Sequence, residues 1–271
     1  FAHLNASTQR VIATNAGGSR AVKYGVIRNF VRGIEVVLPN GDVEWLGSKT
    51  VKDSSGYSLV NLFTGSEGTL GVITKAILKV APPPGAMMTL IAIEENPENA
   101  MQPVPKIIKK GLSPISIEFI DKKVIPPTEQ LLGKKWPTSK GEVHLMLIVD
   151  ARDDDELMQM GEELVDICTA NNAIDVLVAD TKEKQDEILE IRSNIYLALK
   201  KDVVEILDIT VPPSRIADFV RRTEELSEKY KIDLLTYGHA GDGNVHVHMM
   251  RGGDESSYPP LRSELHKIGI E

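Results

Sequence analysis

Three of the six histidines in this chain fall within ten residues, in the stretch Tyr237-Gly238-His239-Ala240-Gly241-Asp242-Gly243-Asn244-Val245-His246-Val247-His248. On a strand, His246 and His248 point to one face and Val245 and Val247 to the other. The glycines at 238, 241 and 243 let the chain fold back so that His239 approaches the pair. A lone strand histidine is more often a hydrogen-bonded core or solvated residue, but imidazoles at this spacing suit a divalent transition metal.

Two other kinds of residue could do chemistry. Thr14-Asn15-Ala16-Gly17-Gly18-Ser19 with Tyr24-Gly25, and Gly65-Ser66-Glu67-Gly68-Thr69-Leu70-Gly71, are glycine-rich. Each is either an ordinary turn or a nest whose backbone amides approach a phosphate or a flat ligand. Neither matches the Rossmann or Walker pattern, so a nicotinamide or ATP site is unsupported. Arg192, in Glu190-Ile191-Arg192-Ser193-Asn194-Ile195, is either a helix-surface cation paired with an acid or a planar fork for a substrate carboxylate.

Asn40-Gly41 between the apolar segments of 33–46 predicts a hairpin. A strand is expected over 70–80, and Pro82-Pro83-Pro84-Gly85 marks a domain boundary, giving domains 1–82 and 83–271. Beyond it, strands are predicted at 88–93, 142–149, 173–179, 203–211, 232–237 and 244–250, with helices at 154–171, 182–200 and 214–230. Leu157, Met160, Leu164, Ile167 and Cys168 form the buried side of the first helix, and Ser214 is the N-cap of the last. Such alternation gives an α+β arrangement, an open sheet with helices on one face.

Composition bounds the partners. The 271 residues carry 31 basic and 39 acidic side chains, a formal charge of -8, which argues against a nucleic-acid binder and requires an anionic substrate to meet specific cations. One cysteine, Cys168, cannot close an internal disulfide, and a cytoplasmic setting is the default. No apolar run approaches the roughly 20 residues of a membrane span, which leaves room for peripheral membrane association. His3, His144 and His266 lack any grouping and read as structural or exposed. Phe1 at the start, and Glu271 within a helical stretch, read as a chain cut at both ends.

The run Ala13-Thr14-Asn15-Ala16-Gly17-Gly18, then Ala21-Val22-Lys23-Tyr24-Gly25, then Glu35-Val36-Val37-Leu38-Pro39-Asn40-Gly41 closely resembles the FAD-binding domain of the vanillyl-alcohol oxidase superfamily. Lys52-Asp53 and Gly65-Ser66-Glu67-Gly68-Thr69-Leu70-Gly71-Val72-Ile73-Thr74 extend the match. His239-x-Gly241-Asp242-Gly243-Asn244-x-His246 resembles the metal motif in the C-terminal domain of the same superfamily's FAD-linked oxidases. That branch includes D-lactate dehydrogenases, the flavoprotein subunit of glycolate oxidase and D-2-hydroxyglutarate dehydrogenase. The resemblance implies the C-terminal half of an FAD-binding domain followed by an open antiparallel, ferredoxin-like cap domain.

By the same resemblance, Asn15, Gly17, Gly18, Tyr24, Gly25, Glu67, Gly68, Gly71, Val72 and Ile73 lie along FAD, while an earlier phosphate loop of the family precedes anything present. His239 and His246 become ligands of a zinc, iron or manganese ion, Arg192 the partner of the substrate carboxylate and His248 a substrate contact. The family's third ligand and its catalytic histidine belong to a downstream Glu-His-Gly segment that this sequence does not reach, so the fragment alone is expected to be inactive. The implied activity is oxidation of a small D-2-hydroxy acid, D-lactate or glycolate, with electrons passing to a quinone, a cytochrome or an electron-transfer flavoprotein. A homodimer or larger complex is compatible with it. The alternative is a non-catalytic flavin-domain subunit of an electron-transfer complex.

Overall fold

Asn40-Gly41 closes a hairpin between β1 (Val31–Val37) and β2 (Val43–Gly47), with Gly41 at φ 92° and its amide donating to Leu38 O. The structure is a computed structural model that describes residues 7–179 and 181–271; His3 and Asp180 lie outside them. Two compact units, Phe1–Pro83 and Pro84–Glu271, divide within the proline run.

In the first unit, β3 (Val72–Leu78) joins the hairpin on its other side, so the antiparallel order is β2-β1-β3. Helices α1 (Thr8–Ala13), α2 (Ala21–Tyr24) and α3 (Leu59–Phe63) accompany this sheet. Ser7 caps α1 by accepting a hydrogen bond from the Arg10 amide. Ile12, Val31, Ile34, Val36, Phe63 and Ile73 make the core.

The second unit is the expected α+β arrangement around an antiparallel sheet. Its strands are β4 (Ala86–Glu94), β5 (Ser116–Asp121), β6 (Val143–Ala151), β7 (Asp175–Ala179), β8 (Val203–Thr210), β9 (Leu234–His239) and β10 (Asn244–Met250). The order is β7-β4-β6-β5-β9-β10-β8. Its helices are α4 (Pro97–Met101), α5 (Pro103–Lys109), α6 (Ile125–Leu132), α7 (Asp154–Thr169), α8 (Lys182–Leu199), α9 (Ile216–Tyr230) and α10 (Tyr258–Ile270).

The acidic start of α7 does what its sequence suggests. Asp153 accepts from the Glu156 amide, and Asp154, Asp155 and Glu156 sit where the helix dipole favours negative charge. Cys168 is fully buried on its inner side, and burial pushes the thiol up to about 12. Ser214 does not cap α9. Pro212 and Pro213 start a 3-10 turn over Pro213–Arg215 instead, and the helix begins at Ile216 without a side-chain cap.

The two faces of the sheet differ. Gly161 of α7 packs against Met88, and Gly269 of α10 against Ile209, on the face shared with Val245 and Val247. Arg192 of α8 contacts Glu118 and Tyr237 on the opposite face, so helices cover both faces and not one as expected, because α8 carries an apolar stripe of its own that must be buried. The apolar stripe Ile188, Ile191, Ile195 and Leu199 marked α8 as a packed helix, but only the structure shows which face it covers.

Candidate active site in the C-terminal unit

Strand register sets the site. Glu118 pairs with His239, Tyr237 with His246, and His246 with Asp208, so these five side chains rise from one face across β5, β9, β10 and β8. The turn between β9 and β10 brings His239 back beside His246. Gly243 has φ 90°, and a Cβ there would lie 1.9 Å from Val211 O; a Cβ at Gly238 would lie 2.2 Å from Asn244 O. The Gly243 amide donates to His239 O at 3.0 Å, and Asp242 accepts from the Asn244 amide at 3.1 Å.

Each of the two histidines is held by a carboxylate. His239 Nδ1 donates to Glu118 Oε1 at 2.7 Å, and His246 Nδ1 donates to Asp208 Oδ1. The rings stand nearly perpendicular, with centroids 5.1 Å apart. A carboxylate acceptor fixes the proton on Nδ1 and leaves the Nε2 lone pair for another partner, the usual preparation of a metal-ligating imidazole. The hydrogen bond from His246 holds the Asp208 carboxyl below its ordinary range.

Arg192 reaches the same spot from α8. Its Nη2 donates to Glu118 Oε2, its guanidinium lies 4.7 Å from the centre of the Tyr237 ring, and its Nε is buried without a partner. Burial alone would raise the Glu118 carboxyl. The Arg192 charge and the hydrogen bonds from His239 and Ser116 outweigh it and hold the group at about 2. His248 is 1% exposed, with both ring nitrogens unpartnered. Its ring lies 5.1 Å from Tyr237 and 6.4 Å from Tyr196. Burial pushes it down to about 4, so it is neutral at pH 7.

The glycine-rich loops meet in the first unit. The Gly65 and Glu67 amides donate to Ile12 O and Ala13 O, and Asn15 Oδ1 accepts from the Arg28 amide at 3.1 Å. Asn15 and Glu67 have φ 48° and 52°. Gly25 and Gly71 are close-approach positions, where a Cβ would lie 2.4 Å from Asn29 Oδ1 and 2.7 Å from Val37 O; at Gly17 it would lie 3.1 Å from Val26. Gly18 and Gly68 face open space. Tyr24 is half-buried and Val72 exposed, while the Ile73 side chain belongs to the core, which leaves only its backbone for a ligand. A cavity of about 500 Å³, lined by Trp45, Tyr57 and the serines at 54, 55 and 58, includes none of these residues.

Residues 84–264 match the family model of FAD-linked oxidase C-terminal domains, and residues 11–47 match an FAD binding domain. The chain belongs to the FAD-linked oxidases. It is 44% identical to a D-lactate dehydrogenase of Archaeoglobus fulgidus over 99% of its own length and 60% of the relative's. Against the glycolate oxidase subunit GlcD of Bacillus subtilis, identity is 40% over 87% of this chain and 50% of the relative. This FAD-linked oxidase chain therefore spans half to three-fifths of those relatives. In fold it is similar to alkyldihydroxyacetonephosphate synthase, with a TM-score of 0.67 at 19% identity, covering 95% of this chain and 52% of that one. p-Cresol methylhydroxylase gives 0.63 at 15%, over 89% of this chain and 54% of that one.

Sequence reasoning missed Glu118, Asp208, Tyr237 and Tyr196 in this chain. An acid in the apolar run Ser116-Ile117-Glu118-Phe119-Ile120 was the available signal for Glu118, since a buried carboxylate needs a partner. Among the described residues, no group of three or more His, Cys, Asp or Glu side chains is arranged to hold a metal ion. The donor set at hand is the pair of Nε2 atoms, chemically suited to such an ion and in need of further ligands. His144 is a buried core residue between Trp136 Nε1 and Lys140 O, and His266 is exposed. No described helix is long and apolar enough to cross a membrane.

Proposed function

We propose that the protein is an FAD-dependent dehydrogenase that converts a small D-2-hydroxy acid, D-lactate or glycolate, to the 2-oxo acid. Electrons then pass to an external quinone, cytochrome or electron-transfer flavoprotein. The observation that carries this reading is the convergence of Arg192 with the carboxylate-held His239 and His246 on one sheet face. Relatives named D-lactate dehydrogenase and glycolate oxidase support the substrate class.

Bound FAD supplies the two-electron acceptor for the α-hydrogen. A zinc, iron or manganese ion held by His239 and His246 supplies a Lewis acid for the substrate hydroxyl. Arg192 orients the carboxylate through its planar fork, with the unpartnered Nε as a ready donor. Neutral His248 offers a hydrogen bond to the bound acid. Toward FAD, Asn15, Gly17, Tyr24, Gly25, Glu67, Gly71, Val72 and Ile73 shape the two loops, and Gly18 and Gly68 leave backbone open to the ligand. A homodimeric or larger assembly and a cytoplasmic setting, free or peripheral to the membrane, belong to the same proposal.

The flavin-loaded full-length protein, mixed without oxygen with D-lactate, glycolate or D-2-hydroxyglutarate, should bleach with one or more of them. Arg192→Ala should lower kcat/KM about a hundred-fold, the worth of a lost charge-assisted hydrogen bond. Bleaching rates unaltered in both Arg192→Ala and His239→Ala would remove this site from the reaction.

A further inference from the structure

We propose that Glu118 is a positioning residue that couples the arginine that grips the substrate to the first metal-binding histidine. This inference rests on the metal and arginine reading above. Glu118 sits within β5, 0% exposed, and its two oxygens face different parts of the site. Oε1 accepts from His239 Nδ1 at 2.7 Å and from Ser116 Oγ at 2.9 Å, while Oε2 accepts from Arg192 Nη2.

An ionised carboxylate is an acceptor on both sides and serves both donors at once. The glutamine amide cannot. Its NH2 must face either Arg192, which has no acceptor and is released, or His239, which must then accept at Nδ1 and carry its proton on Nε2, where it blocks a cation. Two consequences follow from the intact contact. The proton of His239 stays on Nδ1, which leaves Nε2 for a cation. Arg192 stays on the Tyr237 ring with its charge compensated, 13% exposed at its side chain. A change at Arg192 is therefore felt at His239 through Glu118.

The test measures Mn2+ affinity of the flavin-loaded full-length protein from the electron paramagnetic resonance signal of free Mn2+. The set is wild type, Glu118→Gln, Arg192→Met and the double variant. Glu118→Gln should weaken Mn2+ binding about ten- to a hundred-fold, the usual effect of losing a carboxylate behind a ligating histidine. Arg192→Met should weaken it several-fold by itself and add nothing in the Glu118→Gln background. Glu118→Asp, smaller than glutamine yet still an anion, should regain part of the affinity, which a side chain that merely fills space would not do.

Equal Mn2+ affinity in wild type and Glu118→Gln overturns the proposal, as do effects of Glu118→Gln and Arg192→Met that simply add. Should Glu118→Gln fail to fold, Ser116→Ala takes its place in the same cycle, with non-additivity expected and additivity overturning the coupling. A wild type that binds no Mn2+ overturns the metal reading and this inference together, an outcome distinct from a wild type that binds Mn2+ without regard to Glu118.

Discussion

Arg192 illustrates why the identity of a side chain matters more here than its charge. Its guanidinium donates to Glu118, stacks at 4.7 Å on Tyr237 and keeps a buried Nε without a partner. A planar fork can hold the carboxylate of Glu118 and that of a substrate along different edges, whereas an ammonium is a compact point charge on a flexible stem. Lysine at 192 would keep the charge and lose both the stacking and the second edge. Arg192→Lys is therefore expected to lower kcat/KM by about ten- to a hundred-fold, mostly through a higher KM, since the carboxylate is bound in ground state and transition state alike. Steady-state kinetics across a D-lactate series checks this. A kcat that falls while KM holds would place Arg192 in the chemical step instead.

At the scale of elements, the β9-β10 turn sets the distance between the two candidate ligands. Gly243 combines φ 90° with a virtual Cβ only 1.9 Å from Val211 O, so alanine there must move the strand ends. Gly68 also has positive φ, 78°, but faces open space. Gly243→Ala should cost about 3 kcal/mol in urea unfolding and Gly68→Ala about 1 kcal/mol, since only the first adds a backbone collision to the dihedral strain. Equal costs would mean that the turn relaxes freely. The turn and β10 were legible because glycine spacing and strict alternation are local signals; the strand predicted at 244–250 is β10. Glu118 was not legible, because its meaning comes from partners 74 and 121 positions away in sequence. The same holds for α8, whose stripe declares that it packs without naming the face, and for Ser214, where two preceding prolines outrank a good capping residue.

At the scale of the whole molecule, two fully buried glutamates of the C-terminal unit should give stability opposite dependences on pH. Glu118 is held at about 2 against an ordinary 4.5, so its contribution is present above pH 4.5 and is lost as pH falls toward 2. Glu94 has both carboxylate oxygens buried without a partner, and burial raises it to about 7. Its folded form prefers the proton, so stability is full below pH 4.5 and is lost as pH rises from there through 7. A displacement from 4.5 to about 7 corresponds to ~3 kcal/mol at pH 8. Glutamine has nearly the shape of the protonated acid and never ionises. Glu94→Gln is therefore expected to stabilise the unit by about 3 kcal/mol more at pH 8 than at pH 4.5, while the Glu118 contribution cancels between the two proteins. Urea unfolding followed by Trp136, buried in this unit, in a Trp45→Phe background reads the unit alone. A gain that is the same at both pH values would show that Glu94 is not protonated in the folded state.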